Sequence, residues 1–359
     1  MNLPYVQGKL STVVSKELSA LLQTEVSVGH IDMGLLNRII IENVRLEDRQ
    51  GEEMLKVARL SARYEIMPLF EGRFSINSVQ LFGFSVQLNR PTPEDTPNYQ
   101  FVLDAFASQD TVKKETNIDL RINSILIRRG TIKYDVLSMP ETPGKFNLSH
   151  LNVENLAATI SLKALRNDTL NVALRRLDFK EQSGFALDQL KVKIEANDKK
   201  LRISDLSLLL PNSSIRMDDL EIRSDSLTDL TQFPEGAVYQ GRIESSVTPS
   251  DLSAFLPPLK GMNEPIAFSL DFEGHGTDIL CPQIRLEDKE HLRLAAKLSL
   301  KDLDAGKNLF LDGKISELQI TPSGIDYFMN SSPFLMRQII KCGQTNAYYY
   351  FFRKLKYGY

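Results

Sequence analysis

A chain of 359 residues with 43 Lys or Arg against 46 Asp or Glu carries a net charge of only -3, and the two signs are interspersed. That balance argues against a nucleic-acid surface, which needs a basic stripe. Two cysteines, Cys281 and Cys342, exclude a disulfide framework, and no run of about 18 apolar residues reads as a membrane span.

In residues 4–23, Val6, Leu10, Val13, Val14, Leu18, Leu21 and Leu22 fall on one stripe of an amphipathic helix, with Pro4 in its first turn. Only Lys9 and Lys16 flank the stripe and Glu17 opposes them, a poor match to anionic lipid. The helix is therefore expected to cap the end of a sheet. The start, Met-Asn-Leu-Pro, runs straight into this helix and leaves room for an upstream anchor.

From Val26 to Leu88 and from Ile118 to about Ile222 the chain repeats an eight-residue phrase, apolar-x-apolar-x-x-apolar-x-apolar. Copies are Phe74-Ile76 with Val79-Leu81, Leu120-Ile122 with Ile125-Ile127, Phe146-Leu148 with Leu151-Val153, and Val172-Leu174 with Leu177-Phe179. Further copies are Phe185-Leu187 with Leu190-Val192, Leu201-Ile203 with Leu206-Leu208, and Ile215-Met217 with Leu220-Ile222. Alternation at period two marks a strand with one apolar face. The three-residue step reverses that face unless a bulge or corner absorbs the extra residue.

Residues 91–117 interrupt the pattern with Pro91, Pro93 and Pro97, then a short helical stripe of Tyr99, Val102, Leu103 and Phe106. They read as a connector that docks one small helix. Near the end, Gly241-Arg242-Ile243 followed by Thr248-Pro249-Ser250 recurs as Gly313-Lys314-Ile315 followed by Thr321-Pro322-Ser323. In both copies Thr and Pro suit the cap and first position of a short helix after a strand. Residues 333–359 differ: they hold no Asp or Glu, five Lys or Arg, and Tyr348-Tyr349-Tyr350-Phe351-Phe352. The expected organisation is 1–90 with cap helix and strands, 91–117 as connector, 118–332 as repeated strands, and 333–359 as an atypical tail from a truncated or shifted reading frame.

No catalytic pattern emerges. His30, His150, His275 and His291 stand far apart, Gly274-His275-Gly276 lacks the third glycine of a dinucleotide loop, and Asp302-Leu303-Asp304-Ala305-Gly306 lacks the later ligands of a calcium loop. The expectation is a protein that is not an enzyme and uses no cofactor or metal.

The fold expected is mainly β: an elongated, curved antiparallel sheet or open trough with an N-terminal amphipathic helix and few short helices. Its apolar face holds about forty side chains, each worth roughly 1.5–3 kcal/mol when buried, so something must cover it. Either the sheet closes as a sandwich, making a structural interaction module without cargo, or the trough holds an apolar ligand.

The helix after Leu3-Pro4-Tyr5, the segment Val26-Ser27-Val28-Gly29-His30-Ile31 and the hairpin start Ile39-Ile40-Ile41-Glu42-Asn43-Val44-Arg45-Leu46 resemble the start of the AsmA-like superfamily. Phe74-Ser75-Ile76-Asn77-Ser78-Val79-Gln80-Leu81, Asn98 to Phe106 and the Thr-Pro-Ser segments are similar to its TamB (translocation and assembly module) family of the Bacteroidetes type. The resemblance spans about residues 3–332. It implies a periplasmic β-taco tethered by an inner-membrane helix that would lie before residue 3. A further implied C-terminal domain meets an outer-membrane barrel-assembly partner, and neither it nor the anchor is in this sequence. The implied cargo is phospholipid, its acyl chains carried in a groove between inner and outer membrane, or the implied role is help in outer-membrane protein assembly and secretion. Ile76, Val79, Leu81, Leu120, Ile122, Ile125, Ile127, Ile203, Leu206 and Leu208 are the expected groove-lining residues.

Overall fold

The computed structural model of the chain describes residues 3–34, 37–65, 74–107, 118–163, 170–197, 199–224, 237–288, 290–302 and 310–331. Residues 108–117 of the connector and the tail 333–359 lie outside the described residues. Among those described, the chain is mainly β, its strands following sequence order in an open, unclosed sheet with three α-helices. The chain divides into two compact units, Met1–Ala164 with Val172–Ala186, and Leu165–Asn171 with Leu187–Tyr359.

The first unit opens with α1 (Leu3–Leu22), which packs on β1 (Val26–Gly34). Ser15 and Ser19 lie one turn apart on α1 and face the outer edge of β1. Ser15 Oγ accepts from the Val28 amide at 2.9 Å; Ser19 Oγ accepts from the Val26 amide at 2.9 Å and donates to the Val26 carbonyl at 3.3 Å. An edge strand otherwise exposes unpaired amides to any passing strand. The helix thus caps the sheet, as its stripe predicts, through hydroxyls that the stripe does not reveal.

β2 (Arg38–Glu47), β3 (Glu53–Tyr64) and β4 (Phe74–Arg90) follow as antiparallel neighbours of β1. The turn after β2 is held by Asp48, whose Oδ1 accepts from the Gln50 and Glu52 amides at 2.9 and 3.0 Å, with Gly51 at φ 84. The connector contains α2 (Gln100–Ala107), and β5 (Ile118–Val136) then pairs parallel to β4. A parallel neighbour requires a long crossover, which the connector supplies. β6 (His150–Lys163) returns antiparallel to β5, and β7 (Leu170–Glu181) follows it. Phe146 and Leu148, read as half of a strand phrase, lie instead in the turn before His150, where Asn147 Oδ1 accepts from the Ser149 amide and closes a tight loop. The first half of the phrase at Phe185 yields only the two-residue β8 (Ala186–Leu187), while its second half, Leu190 and Val192, lies on the strand that follows.

The second unit is an antiparallel ladder of β9 (Gln189–Ala196), β10 (Lys200–Leu209), β11 (Ser214–Arg223), β12 (Val238–Val247), β13 (Ile266–His275), β14 (Asp278–Asp288), β15 (Leu292–Lys301) and β16 (Phe310–Ile320). Both Thr-Pro segments start a helix after a strand: a 3-10 turn at Pro249–Leu252 after β12, and α3 (Pro322–Ser331) after β16. Their threonines act differently. Thr321 Oγ1 accepts from the Gly324 amide at 3.0 Å and so caps α3. Thr248 makes no such bond and donates to the Asn212 carbonyl at 2.9 Å, tying its turn to the β10–β11 hairpin. Asp251 reinforces that tie by accepting from the Asn212 amide and from Ser213 Oγ.

Replacing Ser15 and Ser19 together by Ala is expected to cost about 1–3 kcal/mol, three hydrogen bonds in partly buried surroundings. Urea unfolding checks the cost. Faster hydrogen exchange at the Val26 and Val28 amides is the specific signature, and unchanged exchange there would show that the hydroxyls do not seal the edge.

Candidate functional site

In the first unit the apolar positions of neighbouring strands meet in register. One row runs Ile31–Ile41–Leu60–Leu81–Ile127–Ala158, and the next runs Val28–Val44–Val57–Phe84–Gly130–Leu156. Between these rows β1 to β5 each carry the three-residue step at the same level, whereas β6 moves only from Leu156 to Ala158 and its pairing with β5 shifts register there. Asn43 (φ 57), Gly83 (φ 63) and Arg129 (φ 56) occupy the left-handed region there. A residue so placed turns the chain and returns the next apolar side chain to the original face. β1 to β5 turn together, so their registers stay aligned across the corner.

In the second unit only β10 and β11 share the step. Asp205 sits at φ 53 on β10, between Ile203 and Leu206. β9 and β12 alternate without interruption, and a register shift appears on each side of the pair, at Ser204/Ser207 and at Arg216/Leu220. Pro282 occupies a similar irregularity on β14, where its missing N–H costs no ladder bond.

These registers bring the expected groove-lining residues together in two sets. On β4 and β5, Ile76 faces Leu120, Val79 faces Ile125 and Leu81 faces Ile127. On β10, Ile203 faces Leu220, Leu206 faces Met217 and Leu208 faces Ile215 of β11. The side chains of Leu120 and Ile122 lie outside those described. The other eight candidates are all half-buried, covered on their flanks by neighbouring strands.

Full burial occurs along the rows, at Val28, Ile31, Val57, Phe84, Ala158 and Met217, and also where helices pack. Leu22, Val26, Leu46, Met54 and Phe101 form one closed cluster under α1 and α2, joined by Leu88 and Tyr99. Met262 and Phe328 form another under α3, with Leu259 and Ile320. The opposite sheet face is polar and carries cross-strand ion pairs, including Glu42–Arg59 at 2.7 Å, Arg202–Asp219 at 2.8 Å and Lys200–Glu221 at 2.6 Å. Hydrogen bonds from Lys200 and Arg223 hold the Glu221 carboxyl below its ordinary pKa. Pairs this exposed contribute at most about 1 kcal/mol each, so they mark the wet face more than they stabilise it.

Two glycines on the apolar side let aromatic rings lie across a strand. A Cβ on Gly130 would stand 2.4 Å from the Phe84 ring, and one on Gly274 would stand 2.0 Å from the Tyr239 ring. The Tyr239 hydroxyl donates to the Gly276 carbonyl at 3.2 Å, and burial pushes its pKa up. Burial likewise pushes up the Cys281 thiol, which disfavours the reactive thiolate.

A hollow of about 620 Å³ in the second unit is lined by Arg223, Tyr239, Arg242, Asp271 and Glu273 among others. Its Arg242 pairs with Asp271, and Arg223 with Glu221, and with Asp219 and Glu273 also on the lining it is a solvated depression of four carboxylates and two guanidiniums. Among the described residues no group of His, Cys, Asp and Glu is arranged to hold a metal ion, and no helix is long and apolar enough to cross a membrane. Sequence spacing offered the histidines no partners, and the fold supplies two. His150 meets Asp135, and His291 meets Asp288 at 2.6 Å while stacking on Tyr327. No protein-family model matches the chain, and no curated protein matches it in sequence.

Replacing Gly130 by Ala is expected to destabilise the chain by roughly 1–3 kcal/mol, the cost of overpacking beside a buried ring. Phe84→Leu in the same background should relieve part of that loss. Additive effects of the two substitutions in urea unfolding would contradict the cross-strand contact.

Proposed function

We propose that this chain is a non-enzymatic cell-envelope protein of the TamB and AsmA-like type. Its apolar sheet face shields phospholipid acyl chains on their way between inner and outer membrane, or supports outer-membrane protein assembly. One observation carries the reading: in apolar rows aligned strand to strand, Ile76, Val79, Leu81, Ile125, Ile127, Ile203, Leu206 and Leu208 remain half-buried although row neighbours such as Ile31, Val57, Phe84 and Met217 are buried. Inner residues of a closed sandwich would be buried by the facing layer.

An acyl chain is a suitable cover for such a face. Each methylene gains about 0.8 kcal/mol on leaving water, and the contact is non-directional, so a chain can slide without breaking specific bonds. The charged headgroup would stay in solvent. The mechanism is passive, and the side chains contribute area and shape rather than chemistry. The family resemblance implies a periplasmic setting for this activity, with an inner-membrane anchor and an outer-membrane barrel partner.

Photocrosslinking amino acids at Val79, Ile125 and Leu206 are expected to capture phospholipid in envelope extracts, whereas one at Gln80, on the opposite face, should capture none. Equal capture at all four positions, or none at any, would instead favour a structural interaction module without lipid cargo.

A further inference from the structure

His150 stands at the first position of β6 with only 7% of its surface exposed. Its Nδ1 lies 2.9 Å from Asp135 Oδ1 and its Nε2 lies 2.9 Å from the Met139 carbonyl oxygen. A carboxylate and a carbonyl only accept hydrogen bonds, and a neutral imidazole has a single N–H to donate. Satisfying both contacts requires both ring nitrogens to carry protons. We propose that His150 is a buried imidazolium that fastens the loop 137–149 to the end of β5 and lets it go on losing its proton.

The surrounding charges support this state. On β5, Asp135 faces the ring, and Lys133 Nζ holds the other Asp135 oxygen at 3.1 Å. From the loop, Glu141 adds a second negative charge. Beyond β6, Gln182 Nε2 donates to the His150 carbonyl at 2.7 Å, while Glu181 turns its carboxylate to Ser183 and the Asn152 amide. At the end of β4, the Arg90 guanidinium is committed to the Pro93 carbonyl and the Tyr134 ring.

The hydrogen bond to Asp135 raises the imidazole pKa above the ordinary 6.5, helped by the Met139 carbonyl and outweighing burial. Burial pushes the Asp135 carboxyl up, but hydrogen bonds from His150 and Lys133 outweigh it and hold the carboxyl below its ordinary 3.8. The histidine therefore contributes stability that is complete below its unfolded-state pKa and is lost as pH rises through the folded-state value. The aspartate contributes stability that is complete above its unfolded-state pKa and is lost as pH falls through the folded-state value. Between those limits the fastening is whole.

The segment it holds carries apolar side chains in water: Leu137 is 65% exposed, Met139 41% and Leu148 71%. Further backbone and amide ties on the segment do not titrate. The Leu137 amide donates to the Arg90 carbonyl at 3.0 Å, the Ser138 amide to the Pro91 carbonyl at 2.9 Å, and Asn147 Nδ2 to the Pro140 carbonyl at 3.2 Å. Deprotonation thus frees the middle of the loop and leaves β5 and β6 paired.

Nitrogen NMR of the full chain labelled in its histidines tests the charge state, and hydrogen exchange corrected for intrinsic rate tests the release. Expected are two protonated His150 nitrogens below a titration midpoint that lies above 6.5. Protection at the Met139 and Lys145 amides should fall roughly tenfold or more across that same titration, the scale of one charged hydrogen bond. Protection at Ile127 and Val153 should stay level. Asp135→Asn should lower the midpoint, and the wild-type titration stands as a test even if that variant folds poorly. A titration midpoint at or below 6.5, or loop protection indifferent to the titration, would overturn the proposal.

Discussion

One constraint governs the rest of the fold: strands that step by three residues must still present one apolar face. The step puts the next side chain on the wrong side unless the backbone turns, and a turn in one strand breaks pairing with a neighbour that does not follow. In the first unit Asn43, Gly83 and Arg129 turn at the same level, so Ile41, Leu60, Leu81 and Ile127 remain in one row. In the second unit β10 and β11 turn while β9 and β12 run straight, and the mismatch is taken up as register shifts. A shared corner and a compensated one serve the same end.

That face is closed only locally. Helices α1 and α2 converge on Leu22, Val26, Met54 and Phe101, and α3 seats Phe328 against Met262. Away from them the rows rely on lateral contact between strands, which buries Ile31, Val57 and Phe84 but leaves Ile76, Val79, Leu81, Ile125 and Ile127 half in water. Charge has the opposite distribution. Cross-strand pairs such as Arg202–Asp219 and Glu42–Arg59 spread along the wet face, so the two faces differ in the solvent each prefers. The proposed lipid cover follows from that difference, because acyl chains ask for apolar area without asking for a specific partner.

Polar side chains do structural work at strand ends and edges. Asp48, Asn147, Glu181 and Asn197 each accept backbone amides and so shape their turns. Ser15 and Ser19 spend their hydroxyls on the open edge of β1. His150 belongs to this set by position, yet it differs in kind, because its two acceptors demand a charge on the ring.

Much of the architecture was legible in the residues themselves. The alternation in Ile39-Ile41-Val44-Leu46 and Leu201-Ile203-Leu206-Leu208 marks strands with a corner, and the stripe from Leu10 to Leu22 marks a helix, because both periods are local properties of the chain. Pro91, Pro93 and Pro97 likewise announce the connector. Phe146 and Leu148 misled, since two apolar residues at the right spacing look like a strand until a turn residue such as Asn147 claims the backbone. Only the tertiary structure decided that β5 lies parallel to β4, that Ser15 and Ser19 reach the sheet edge, and that His150 meets Asp135. Each depends on segments brought together by long-range pairing, and periodicity records which way a side chain points but not what waits there.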